Sequence, residues 1–167
     1  DLFAQYSGKM RFHLEIHPSL ISETLKEKLS VMPDGLLHLE AGIQSLDSKV
    51  LAESGRHGSL ESSLEGLKFL CSTGNLQTHA DLIAGLPLED LKSFARSFDD
   101  VFELHPHALQ LGFLKVLPGT VMDQSAKQHK MVYMDQPPYE ILATKYVSYK
   151  EIRFLKILEE VFDATAN

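Results

Sequence analysis

Residues 76–90 read LQTHADLIAGLPLED, and this stretch decides the fold. Leu76 to Ile83 has the length and residue types of a buried strand, and Gly85-Leu86-Pro87 then breaks it sharply. Leu91, Phe94, Phe98, Val101 and Phe102 follow at helical spacing. A strand, a tight turn and a helix in immediate succession make half of a parallel strand–helix–strand unit.

The same rhythm extends on both sides. Upstream, Met10 to His17 predicts a strand with Phe12, Leu14 and Ile16 on one face. Pro18 and Ser19 open a helix carrying Leu20, Ile21, Leu25 and Leu29. After the breakers Pro33, Asp34 and Gly35, Leu36 to Gly42 predicts a second strand. A polar loop, SLDSKVLAESGRHGS (45–59), leads to a helix with Leu60, Leu64, Leu67 and Leu70 on one stripe, stopped by Gly74 and Asn75. Downstream, Pro106 closes the third helix and Ala108 to Val116 predicts a fourth strand. Right-handed crossovers place four such strands side by side in one parallel sheet. A closed eight-strand barrel needs about 250 residues, so 167 residues suit an open sheet or part of a barrel.

Beyond Pro118 the rhythm changes. A short helix and a loop are expected around Gly119, Pro137 and Pro138. Ser148 with Glu151 three residues on forms a capping-box pattern ahead of Ile152, Leu155, Leu158, Val161 and Phe162. The division predicted is therefore 1–120, an α/β portion with parallel strands and crossover helices, and 121–167, a helical C-terminal extension.

Composition bounds the function. A 44% hydrophobic content and a mean hydropathy of -0.09 are those of a globular protein. No run approaches the roughly 18 apolar residues of a membrane span, so no membrane partner is expected. A net charge of -7 argues against a broad nucleic-acid surface. A single cysteine, Cys71, precludes an internal disulfide and suits a reducing cytoplasm. Cys71 lies beside Leu67 and Leu70 and reads as a small buried hydrophobe. The chain opens on Asp rather than Met, which raises the expectation of an excised domain with chemistry upstream.

In parallel α/β sheets ligands bind at the carboxyl ends of the strands. The polar residues there are Glu15 and His17, Glu40 and Gln44, Asp81, and Lys115, with Arg56 and His57 in the loop after the second strand. Carboxylates accept from sugar hydroxyls and a guanidinium grips a carboxylate two-pronged, so this set suits a small polar ligand bearing both. His13, Glu15 and His17 alternate along one strand and raise a metal site as a competing reading, with ordinary strand histidines favoured. His105-Pro106-His107 reads as solvated loop, and Lys115 as a solvated or substrate-side lysine. No nucleophile elbow and no phosphate-cradling glycine loop is present.

Four motifs in order resemble the radical S-adenosylmethionine (SAM) family, most nearly the oxygen-independent coproporphyrinogen oxidases. They are EIHP (15–18), HLEAGIQSLD (38–47) with SGRHGS (54–59), HADLIAGLPLED (79–90) and LQLGFLKVLPGT (109–120). The resemblance implies a partial (β/α) barrel whose ligand is SAM. It implies that Gln44 and Asp81 bind the ribose hydroxyls, Arg56 the methionyl carboxylate, and Glu15 the ribose or amino end. Ile83 would pack on the adenine, and Gly42 and Gly85 would let backbone approach the ligand. It further implies a 4Fe-4S cluster held by three cysteines, which this sequence lacks, so those ligands are expected upstream of Asp1.

PPYEIL (137–142) and YVSYKEIRFLKILEE (146–160) are similar to the tail of cobalamin-binding-domain radical SAM proteins of the anaerobic magnesium-protoporphyrin IX monomethyl ester cyclase type. That implies a cobalamin domain upstream. The whole protein is then expected to generate a 5′-deoxyadenosyl radical acting on an organic substrate, as an oxidoreductase or transferase, and the chain alone to be inactive. No residue of this chain is assigned to catalysis. The alternatives are a non-catalytic scaffold and a cluster-independent enzyme using Glu15, Glu40 and Asp81 as acid–base groups.

Overall fold

A computed structural model describes residue 5 and residues 8–165; residues 1–4, 6, 7, 166 and 167 lie outside the described residues. Four strands form one sheet: β1 (Phe12–Ile16), β2 (Leu37–Gln44), β3 (Gln77–Ala84) and β4 (Ala108–Phe113), in the order β1-β2-β3-β4. The strands are parallel. In the first pair His13 lies opposite His38 and Glu15 opposite Glu40. Each expected strand is present, with its ends shifted by up to three residues. The sheet stays open, with β1 and β4 as its end strands.

The pleat sorts the side chains. Leu37, Leu39, Ala41 and Ile43 of β2, and Thr78, Ala80, Leu82 and Ala84 of β3, are buried. The alternating residues are only half buried, and most are polar: His38, Glu40 and Gln44, then His79 and Asp81. Strands of a parallel sheet normally bury apolar residues on both faces. A polar second face therefore calls for a chemical reason.

The helices are α1 (Glu23–Ser30), α2 (Ser48–Glu53), α3 (Leu60–Ser72), α4 (Leu91–Phe102), α5 (Val121–Ser125) and α6 (Tyr149–Thr165). Pro18–Leu20 forms a single 3-10 turn rather than the start of α1. Ser22 caps α1 instead, its Oγ accepting from Leu25 N. The loop expected at 45–59 contains α2. Its cap is Asp47, whose carboxylate accepts from Lys49 N and Val50 N. Six residues around one buried valine are too few to show a period. The extension is not wholly helical. Val132–Tyr133 pairs antiparallel with Ile141–Ala143 in a small second sheet, whose strands are too short for alternation to register.

The chain divides into two compact units, Asp1–Ile43 with Gly58–Asp81 and Asp100–Leu109, and Gln44–His57 with Leu82–Asp99 and Gln110–Asn167. In the first, α3 lies against the 3-10 turn at Gly66, where a β-carbon would stand 2.2 Å from Pro18 O. Asn75 Nδ2 donates to the carbonyls of Leu29 and Met32, tying the end of α1 to the start of β3. The second unit has a core of Val50, Leu86, Leu114, Val116, Met122, Ile141, Val147 and Ile152. Ser148 and Glu151 form the expected capping box. Ser148 N donates to Glu151 Oε2 at 2.7 Å, and Glu151 N to Ser148 Oγ at 3.3 Å.

Candidate functional site

In the first unit, three adjacent strands carry the same pattern on one face: His13-Leu14-Glu15, His38-Leu39-Glu40 and His79-Ala80-Asp81. Period-2 geometry turns this into a row of imidazoles beside a row of carboxyls. The rings of His13 and His38 are 4.5 Å apart, and those of His38 and His79 are 5.8 Å apart.

His13 Nε2 meets Glu40 Oε2 at 2.8 Å. That bond holds the Glu40 carboxyl below the usual carboxylate range. Asp81 behaves in the opposite way: burial, then the neighbouring Glu40 and Glu15 carboxyls, push it up to about 7. Asp81 Oδ1 is buried and, among the described residues, has no hydrogen-bond partner. His79 Nε2 lies 3.3 Å from that oxygen, close enough to attract it but off the direction a hydrogen bond requires. An unsatisfied buried carboxyl oxygen typically costs 1–3 kcal/mol or more, and it is an acceptor ready for a donor from outside the chain.

His17 does not join His13 and Glu15 in a metal cradle. Ser19 Oγ lies 2.9 Å from His17 Nδ1, while His13 engages Glu40. Among the described residues no group of three His, Cys, Asp or Glu side chains is arranged to hold a metal. His107 is exposed in a bend, as the loop reading expects, and in addition its Nδ1 accepts from Thr78 N at 3.2 Å at the start of β3. Glu15 is exposed on β1, and Gly42 lies between buried Ala41 and Ile43.

In the second unit Gln44 closes β2 with φ 68°, a left-handed conformation unusual for a residue with a side chain. Two buried anchors follow it. Ser45 Oγ donates to Glu89 Oε1 at 2.6 Å, and Leu46 N donates to Ser97 Oγ at 3.1 Å. Helix α2 then ends in a turn at Gly55, whose φ of 72° suits glycine. Arg56 N returns to Leu51 O at 2.9 Å. Half-buried Arg56 has its guanidinium lowered from its usual range by that burial. Glu53, at the end of the same helix, holds the buried His129 Nε2 at 2.8 Å.

Ile83 packs against the second unit's core. At Gly85 the space a β-carbon would need is taken by Ile141, 2.6 Å away, so glycine there has a packing reason within the chain. Lys115 is exposed, and its backbone bridges Glu140. Sequence reasoning overlooked Glu89, which is 2% exposed and pushed up to about 7 by burial. It lies two residues past Pro87, outside any periodic segment, so apolar spacing gives no sign of its burial.

A family model described as a protein of unknown function (DUF4080) matches residues 127–167. The chain is 28% identical over 125 residues to a probable threonylcarbamoyladenosine tRNA methylthiotransferase of Pyrococcus abyssi, covering 72% of this chain and 29% of the relative. It is 28% identical over 115 residues to the oxygen-independent coproporphyrinogen-III oxidase-like protein HemZ of Bacillus subtilis, covering 68% and 22%. The chain thus spans less than a third of the curated relatives it matches. Among solved structures, the radical SAM enzyme coproporphyrinogen III oxidase (HemN) of Escherichia coli superposes with a TM-score of 0.62 at 23% identity, over 89% of this chain and 31% of that one. The radical SAM methyltransferase TsrM of Kitasatospora setae superposes at 0.59 and 16%, over 79% and 27%. The fold is that of part of the radical SAM barrel.

Proposed function

We propose that this chain is part of a radical SAM enzyme, the part whose strand ends bind and orient S-adenosylmethionine. The observation that carries this is Asp81, a buried acceptor without a donor at the position where the motif resemblance expects ribose. The relatives and the shared fold support it.

In this reading Asp81, Gln44 and Glu15 engage the ribose and amino end, and Arg56 the methionyl carboxylate. Ile83 flanks the adenine, and Gly42 and Gly85 keep the backbone close to the ligand. SAM is the source of the 5′-deoxyadenosyl radical in such enzymes, and every role given to this chain is binding or orientation. Residues 1–120 are assigned to the barrel portion and 121–167 to the extension.

The chain's residues do not fit a four-iron cluster. Three thiolates are required, while Cys71 is the one cysteine and burial pushes its thiol up to about 11. Cluster ligands would have to come from other residues, so the chain alone is expected to be inactive. A cobalamin domain in the whole polypeptide rests on the tail resemblance at 137–142 and 146–160, and no residue here is assigned to it.

The test is a titration of SAM into the chain followed by amide chemical shifts. Weak saturable binding perturbing Gln44, Arg56 and Asp81 is expected. Asp81→Ala and Arg56→Ala should each weaken it by on the order of 1–3 kcal/mol, the cost of losing a charged hydrogen bond. Binding that ignores both variants would sink the reading.

One observation favours a second reading. A carboxyl at about 7 beside another carboxylate suits general acid–base catalysis. Turnover by the chain without a reductant, lost in Asp81→Asn, would select it.

A further inference from the structure

We infer that Glu40 and Asp81 form one proton-sharing carboxyl pair, fixed on one side by His13, and that a ligand diol bound at Asp81 displaces the shared proton. This rests on the proposed ligand site and deepens it, making Glu40 the residue that sets how that site responds to its ligand.

The geometry comes from three strands. Glu15 and Glu40 are partners in the β1–β2 register, and the Glu40 carboxyl lies within hydrogen-bonding reach of Asp81 on β3. Glu40 has a fixed partner, because His13 Nε2 sits 2.8 Å from its Oε2. Asp81 has none at Oδ1, which is buried. Two carboxyls in contact, one of them largely withdrawn from water, do not both ionise readily. The imidazole of His13 decides which keeps its charge, so the proton resides on Asp81. The other groups facing the pair agree. Glu15 adds a third acid, which favours a proton on Asp81. His79, off-angle at 3.3 Å, does not capture the carboxylate. His38 is lowered by burial first, then by His13, His79 and Arg11, and so adds little positive charge.

A protonated carboxyl presents a hydrogen where a sugar hydroxyl also brings one. A carboxylate accepts both hydroxyls of a cis-diol. Binding therefore favours the ionised Asp81 and releases the shared proton. The sign follows: ligand affinity rises with pH through neutrality. A free-state value near 7 that falls by about two units or more on binding predicts about tenfold tighter binding at pH 8 than at pH 6.

Adenosine is the suitable probe, because it carries the diol and nothing that titrates between pH 6 and 8. Calorimetry in two buffers of different ionisation enthalpy should show about tenfold tighter binding at pH 8, with proton release. Glu40→Gln should retain binding and flatten its pH dependence, and 2′,3′-dideoxyadenosine should show none. Carbon-13 spectra of the free chain supply an arm that needs no ligand. The Asp81 carboxyl should titrate near neutrality and move to lower pH in Glu40→Gln. An Asp81 carboxyl that titrates in the ordinary range, or is unmoved by Glu40→Gln, overturns the pair whether or not adenosine binds. A pair that titrates as expected while neither adenosine nor SAM binds overturns the displacement and the ligand-site reading together, and leaves the pair standing.

Discussion

Ser45 Oγ donates a 2.6 Å hydrogen bond to Glu89 Oε1, and both residues are buried. Ser45 follows the left-handed Gln44, so this bond fixes the strand end that presents the Gln44 side chain. The other carboxyl oxygen, Glu89 Oε2, has no hydrogen-bond partner among the described residues. Burial is the main reason the group is pushed up to about 7.

A pH dependence of stability follows from that carboxyl. Its folded value lies above its unfolded one, so the folded chain binds the extra proton between about pH 4.5 and 7. Stability from this group is full below 4.5, declines as pH rises to 7, and is lost above it. Glu89→Gln keeps an acceptor for Ser45 and removes the charge. It should stabilise the chain at pH 8 by on the order of 1–3 kcal/mol and change little at pH 4. Urea unfolding of both chains at the two pH values checks this, and an equal effect at both would refute it.

Gly66 is the second test. Glycine inside a helix costs roughly 1 kcal/mol relative to alanine, so its place in α3 needs a reason. That reason is the carbonyl of Pro18, 2.2 Å from where a β-carbon would stand. Gly66→Ala should destabilise by roughly 1–3 kcal/mol despite the better helix propensity. Gly74, with open space around it, provides the control, and Gly74→Ala should be near neutral. Equal midpoints for the two variants in chemical denaturation would contradict the close approach.

Much of the fold was legible because apolar spacing records burial directly. Leu37, Leu39, Ala41 and Ile43 mark β2, and Leu67 and Leu70 mark the buried stripe of α3. What stayed hidden was either too short for a period or made by tertiary contact. Helix α2 buries Val50 alone, and the Val132–Tyr133 strand has only two residues. Glu40 and Asp81 could each be placed at a strand end, but nothing in either segment shows that the two carboxyls meet, since that depends on the stagger of neighbouring strands. His107 is the exposed loop residue expected, but the bond it accepts from Thr78 N was not legible, because a backbone cap leaves no trace in composition.

The capping box at α6 gives a third prediction. Ser148 Oγ satisfies Glu151 N, and Glu151 Oε2 reciprocates to Ser148 N. Ser148→Ala should cost about 1 kcal/mol, the usual loss for a serine cap. Ser148→Asp should recover most of it, since aspartate accepts the same bond. Thermal melts followed by circular dichroism discriminate the two, and equal losses would mean the cap is not what holds this helix end.

Cys71 supplies the last prediction, and it bears on the cluster. Only a thiolate binds iron or attacks an alkylating agent. A thiol pushed up to about 11 by burial is almost wholly protonated at pH 8. Relative to an unperturbed cysteine near 8.5, its thiolate fraction is lower by about two orders of magnitude. Iodoacetamide should therefore modify the folded chain far more slowly than a cysteine peptide, and unfolding in urea should remove the difference. Anaerobic incubation with iron and sulfide should leave the chain without the visible absorption of a four-iron cluster. The structure leaves Cys71 half-buried rather than fully buried, and fast alkylation of the folded chain would show that its thiol is not protonated as described here. A cluster spectrum at one cluster per chain would overturn the conclusion that its residues do not fit that group.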